Sequence, residues 1–213
     1  MALQTTATVD GEELQLLHQR DYSVQVYRRN DDEIVAVGTV HDRKPPGLYV
    51  EEDPDELTIH FMTVKLVVSF PSLEITRADV DYGSFPQPGC PSIVEAYRGL
   101  VGISIARGFT HKVRELFGGP RGCTHVTALL QAMAPAVVQS TWSMRVLGRR
   151  AGTQSAADTR VDALNLNTCH VWAEDGELVT RVRQGEHFGP GIPVRDRLVR
   201  LGRDPAEWFE RGH

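Results

Sequence analysis

Three cysteines and eight histidines are the residues of this chain best suited to chemistry. The cysteines sit in Gly89-Cys90-Pro91, Gly122-Cys123-Thr124-His125 and Thr168-Cys169-His170, so two of the three have a histidine close by. A thiolate binds metal, and a thiol ionises most readily where unpaired backbone N–H groups and the positive end of a helix dipole favour the charge. Pro91 suits a first helical position, and an apolar periodic run follows Thr124, so Cys90 and Cys123 are both placed at helix starts. His125 falls in the first turn of its helix with Leu129 four residues on, which points its ring along the apolar stripe. His60 lies on the otherwise apolar face of a long strand. Free cysteine also packs as a small hydrophobe and a lone histidine as a hydrogen-bonded core residue, so the weight rests on the combination. His60, Cys90, Cys123 and His125 form a donor set that suits zinc or a single iron ion. Cys169 or His170 would add a ligand, although strand alternation lets only one of that pair face the site.

Acids and arginines stand near these candidates in sequence. Asp79 and Asp81 near one strand end and His41-Asp42 at another could supply a general base, Asp81 and His41 being the expected ones, though such residues are more often solvated turn positions. Arg98 and Arg121 flank the proposed site and would hold a carboxylate bidentately.

The elements that must position these groups follow from periodicity. Tyr22 to Arg28 and Ile34 to Val40 alternate and are joined by Asn30-Asp31-Asp32-Glu33, a hairpin pattern. Leu57 to Phe70 is a long strand with His60, Met62, Val64, Leu66 and Val68 on one face, and Leu73 to Asp81 is its return. Beyond the prolines of 85–91 the spacing turns helical, first at Ile93, Val94, Tyr97, Leu100 and Val101. A second helix is expected over Thr110 to Leu116. A third begins after Cys123, with Val126, Leu129, Leu130, Met133, Val137 and Val138 as its stripe and Pro135 as a kink. Residues 1–20 are polar and read as an irregular segment ahead of an α+β metal-site core over 21–140. Residues 141–163 read as a flexible linker or lid. The rest, 164–213, reads as a hairpin over Asn167 to Ala173 and Leu178 to Val182 about Asp175-Gly176, then a helix from Asp204-Pro205, packing on the same domain. The class is α+β, an antiparallel sheet with helices packed on one face.

A strand ligand at His60 followed by Gly89-Cys90 and Gly122-Cys123 at successive helix starts resembles iron-sulfur scaffold proteins of the NifU and IscU type, over about residues 57–140. That likeness implies a NifU/SufE-like arrangement and a bound iron-sulfur cluster. His60 stands where that family has its first cysteine, Met62 where it has an aspartate, and the Pro-Pro-Val-Lys signal is missing before Cys123, so a zinc or iron ion is favoured over the cluster. His18-Gln19-Arg20, His60-Phe61-Met62, Pro88-Gly89-Cys90-Pro91, Leu100-Val101-Gly102, Gly122-Cys123-Thr124-His125 and Asn167-Thr168-Cys169-His170 are similar, over most of the chain, to a bacterial family designated domain of unknown function 2889. That resemblance brings no established activity.

Composition bounds the rest. The 213 residues carry 23 Lys+Arg against 28 Asp+Glu, a formal charge of -5, which argues against nucleic acid or an anionic membrane surface as partner. An odd cysteine count is not a closed disulfide framework. The first residues have neither the basic region nor the apolar core of a secretory leader, and no apolar run approaches the roughly 20 residues of a membrane helix. A reducing cytoplasm is the expected compartment. The expected function is that of a metal-dependent enzyme, a lyase or hydrolase, acting on a small organic substrate that bears a carboxylate, with a homodimer as the assembly. The alternatives are an iron-sulfur or structural zinc binding module, and a metal-free enzyme using a pair of cysteines as acid and base.

Overall fold

Alternating burial builds the frame on which everything else is hung. The computed structural model describes residues 3–106, 108–152, 165–186 and 191–206, and the chain divides into two units, Met1–Ser140 and Thr141–His213. In the first unit β3 (Gln19–Arg28), β4 (Glu33–Lys44), β5 (Leu57–Ser69) and β6 (Ile75–Ser84) form one antiparallel meander in the order β3-β4-β5-β6. Ile34, Ala36 and Val40 of β4 and Met62, Val64, Leu66 and Val68 of β5 are buried on one face, as a period of two requires. Ahead of the sheet β1 (Thr6–Val9) and β2 (Glu12–Gln15) pair as a separate two-stranded ribbon, where an irregular segment was expected. Its cause is the Asp10-Gly11 turn, in which both residues have positive φ, 53° and 84°, as a tight hairpin demands.

Helices cover the buried face. The segment Cys90–Leu100 is a 3-10 helix with Tyr97 and Leu100 buried, and its three-residue spacing suits that tighter winding better than the α-helix its apolar pattern suggests. Helix α1 (Phe109–Phe117) buries Phe109, Val113 and Phe117 at intervals of four. Helix α2 (Thr124–Arg150) starts where expected, buries Val126, Leu129, Leu130, Met133 and Val137, and continues through Pro135. It ends only at Arg150, with Gly152 at φ 72° closing it, so residues 141–150, read from sequence as part of a flexible linker or lid, are helical. Residues 153–163 of that connection lie outside the described residues. The architecture is α+β, an antiparallel sheet and helices.

The second unit corrects the expected C-terminal hairpin. His170–Trp172 is a 3-10 turn and Glu177–Arg183 is helix α3. Asp175-Gly176 leads into a helix instead of joining two strands: the Gly176 carbonyl accepts the Thr180 N–H at 3.0 Å, and Glu177 stands in the first turn with Arg181 four residues on. The preceding segment is closed on itself by Asn167, whose N–H donates to the Trp172 carbonyl and whose Oδ1 accepts the Glu174 N–H, both leaving no extended strand. Helix α4 (Ile192–Arg200) was not anticipated, although Pro193 in its first turn is a start signal. The helix expected from Asp204-Pro205 lies largely outside the described residues, within which Asp204 Oδ1 accepts the Ala206 N–H at 2.8 Å in a turn. Among the described residues no helix is long and apolar enough to cross a membrane.

Sheet and α2 approach closely at Gly38. A Cβ there would fall 2.6 Å from Met133 Sδ and 3.1 Å from Leu129 Cδ1. Gly38→Val is expected to destabilise the protein by about 2 kcal/mol through overpacking, read as a lower urea midpoint at unchanged slope. An unshifted midpoint would show that the layers can separate freely.

Candidate metal centre

The centre begins with a charged residue on a buried face. Asp42 continues the inward row of β4 beyond Val40 and is 1% exposed. Register sets Arg20 of β3 on one side of it and His60 of β5 on the other, so three strands contribute a polar row, Arg20-Asp42-His60, at one end of the sheet. The β4-β5 ladder becomes irregular immediately after Asp42, a distortion of the kind that re-aims side chains beside functional sites. The first turn of α2 then brings His125 onto the same carboxylate.

A buried carboxylate must be neutralised, and here both oxygens are engaged. Oδ1 accepts Arg20 Nε at 2.6 Å and lies 3.5 Å from His18 Nε2. Oδ2 accepts Arg20 Nη2 at 2.6 Å, meets His60 Nδ1 at 2.9 Å and lies 3.2 Å from His125 Nε2. Burial pushes the Asp42 carboxyl up, but Arg20 above all, with His125 and His60, outweighs it and holds the group at about 2. The same salt bridge raises the Arg20 guanidinium above its ordinary value. The His60 and His125 rings stack 3.9 Å apart, tilted by 31°. Burial, reinforced by His125, lowers His60 despite the pull of Asp42, which keeps its imidazole neutral and able to donate a lone pair.

One ligand atom each from Asp42, His60 and His125 lie within 4.8 Å of one another, a possible metal-binding triad. Nitrogen and oxygen ligands sit about 2.0–2.2 Å from zinc, so two of them around a tetrahedral ion are about 3.4 Å apart. The contacts of 2.9 and 3.2 Å to Oδ2 are somewhat shorter, so the ligands would move apart by a few tenths of an ångström to admit an ion. Beside the triad, Cys123 Sγ lies 3.7 Å from His125 Nδ1, so His125 joins the thiol to the carboxylate through its two nitrogens. The Cys123 N–H donates to the Tyr97 hydroxyl at 2.7 Å, which fixes the start of α2. Burial raises the thiol, yet His125, the nearby Tyr82 hydroxyl and the amides of Val126 and His125 together bring it down to about 7. That Tyr82 hydroxyl is sealed from solvent without a well-formed hydrogen bond, and burial followed by the adjacent Cys123 raises it above its usual range.

Of the residues singled out from sequence, the structure brings His60 and His125 together and sets Cys123 against His125. Cys90 opens its 3-10 helix half-buried and is not part of the triad. His41 lies on the opposite face of the sheet, bonded to Thr58 Oγ1 at 2.8 Å and edge-on to Phe61. Asp81 pairs with Thr63 and therefore shares that opposite face, where it is exposed. The expected general bases are thus on the wrong side of the sheet. Arg98 is exposed and paired with Glu95, and Arg121 donates to the carbonyls of Glu115 and Arg114, where it caps α1. Cys169 and His170 belong to the second unit. Asp42 was named from sequence only beside His41 as a possible base, and Arg20 and His18 only within a segment of the family resemblance, so none of the three was expected at the metal site. The one signal for Asp42 was parity, since it shares the phase of Ile34, Ala36 and Val40.

Two titrations check this geometry. Because Asp42 is depressed, its contribution to stability is present above about pH 4 and lost as pH falls through about 2, roughly 2 kcal/mol in metal-stripped protein. Asp42→Asn removes that acid-dependent part and costs on the order of 3 kcal/mol at neutral pH, measured by urea unfolding across the acid range. Alkylation of Cys123, followed by mass spectrometry, is expected to reach half its maximal rate near pH 7 and to shift upward in His125→Ala. A midpoint at the ordinary thiol value, about 8.5, would break the proposed contact.

No curated protein matches this chain, and no solved structure matches it. A family model does: the one described as "Protein of unknown function (DUF2889)" matches residues 18–139, a span that contains Arg20, Asp42, His60, Cys123 and His125 and more than half of the sequence. The chain belongs to the DUF2889 family.

Proposed function

We propose that the protein is a metal-dependent enzyme that holds one zinc or iron ion through Asp42 Oδ2, His60 Nδ1 and His125 Nε2 and acts on a small organic substrate. The observation that carries this reading is the convergence of two imidazole nitrogens on one buried carboxylate oxygen at 2.9 and 3.2 Å. Two histidines and one carboxylate leave coordination positions open, as mononuclear iron and catalytic zinc sites do. A bound ion would supply Lewis acidity toward a substrate oxygen. The chain's own residues do the rest. Asp42 orients both rings, and burial lowers the His60 imidazole, which favours its neutral form. Cys123 faces Nδ1 while Asp42 faces Nε2, so the thiol serves as the outer partner of His125, holding its ring in place, and does not bind the same ion. Three disulfide-free cysteines agree with a reducing, cytoplasmic setting.

One observation favours a second reading. Cys123, His125 and Asp42 are aligned as nucleophile, base and orienting acid. In that case Cys123 passes its proton to His125 Nδ1, sulfur bonds to an acyl carbon, and the leaving group departs with the proton.

Elemental analysis of protein purified without chelators separates the two. The first reading expects close to one equivalent of zinc or iron, with Asp42→Asn, His60→Ala and His125→Ala each weakening metal binding by more than roughly 100-fold and Cys123→Ser retaining it. Metal-free protein that forms a stable acyl adduct on Cys123 with an activated ester would establish the second. A brown protein with acid-labile sulfide would replace both with a cluster carrier.

A further inference from the structure

We infer that Arg20 is a counter-ion that yields Asp42 to the metal and then serves as the carboxylate-binding group of the loaded centre. The inference rests on the metal reading above and adds a role for a residue that the reading leaves unused. The first observation is crowding at one atom: Asp42 Oδ2 is shared by Arg20 Nη2 at 2.6 Å, His60 Nδ1 at 2.9 Å and His125 Nε2 at 3.2 Å. A divalent ion bound there would stand against the guanidinium. Like charges at such close range repel strongly in a partly shielded setting, so the Nη2 contact and the ion exclude each other.

The second observation is freedom to move. Arg20 sits on β3, an edge strand of the sheet, with its side chain 35% exposed, whereas Asp42 is 1% exposed and the two histidines are 18% and 13% exposed. The carboxylate and rings are held, and the arginine is the partner that can swing outward. His18, 38% exposed, flanks the same oxygen pair from the chain just before β3. The third observation is fit, because Nε and Nη2 already grip a carboxylate through both oxygens at 2.6 Å. Released from Oδ2, that planar fork stands beside open coordination positions, where a substrate carboxylate would bridge ion and guanidinium.

The test is zinc affinity by competition with a chromophoric chelator, in wild type and Arg20→Gln, with cobalt(II) spectra recorded before and after adding acetate. Arg20→Gln is expected to bind zinc at least tenfold more tightly, and acetate to perturb the cobalt(II) spectrum of wild type but not of the variant. In wild type, NMR of the Arg20 side-chain Nε–H, slow to exchange in metal-stripped protein, is expected to show fast exchange once zinc is added. This last measurement needs no variant, so it stands if Arg20→Gln fails to fold. Weaker zinc binding in Arg20→Gln, or an Nε–H signal unmoved by zinc, would overturn the swap and make Arg20 a fixed support of Asp42. An acetate response equal in both proteins would overturn the recognition role. Wild type that binds neither zinc nor cobalt(II) would sink the metal reading itself, an outcome distinct from the other three.

Discussion

A single ionised carboxylate, buried to 1% exposure, sets the terms for this end of the molecule. Left alone, an ionised group in such a place would either take up a proton or cost several kcal/mol. Asp42 avoids both because β3, β5 and α2 each deliver a donor to it, and those deliveries are long-range in sequence: Arg20 from 22 residues before, His60 from 18 residues after. The meander's register and the angle at which α2 lands are therefore not independent of the site. Each is a condition for the carboxylate to remain charged.

The same argument explains why the stacked histidines are tolerated. Two imidazoles 3.9 Å apart would repel if both were protonated, and His60 is biased toward its neutral form by burial first and by His125 second. Two imidazoles facing one negative oxygen make a site that attracts a cation more strongly than any of the three residues would separately. Cys123, at the start of α2, extends the line by one more group and gives His125 a partner on each nitrogen. A histidine held at both ends has its orientation decided before any ligand arrives.

Much of the frame was legible in the sequence because the four strands and α2 state their phase openly in apolar residues. Phase also showed that His60 and the start of α2 face the core. What it could not supply was which polar residue would meet them, since Asp42 lies in a different strand and only register reveals the pairing. His41 and Asp81 were attractive by residue type, yet both have the opposite parity to the buried row and end on the other side of the sheet. The C-terminal unit misled for another reason. An Asp-Gly pair serves a hairpin or a helix start equally well, and seven residues with one buried valine carry too little apolar pattern to choose between them. The length of α2 was underestimated because its last turns lose the broad apolar stripe while remaining helical.

Gly38 lies four residues before Asp42 on β4, and Met133 lies two turns beyond His125 on α2, so their close approach sits on the same two elements that meet at the site. At that approach the missing side chain works as a shim: it sets how deeply the helix seats on the sheet, and so how far the His125 ring reaches toward Oδ2. A position with no donor, acceptor or charge thereby shares control of the ligand spacing. Any search for functional residues that scores positions by chemical type alone would pass over it.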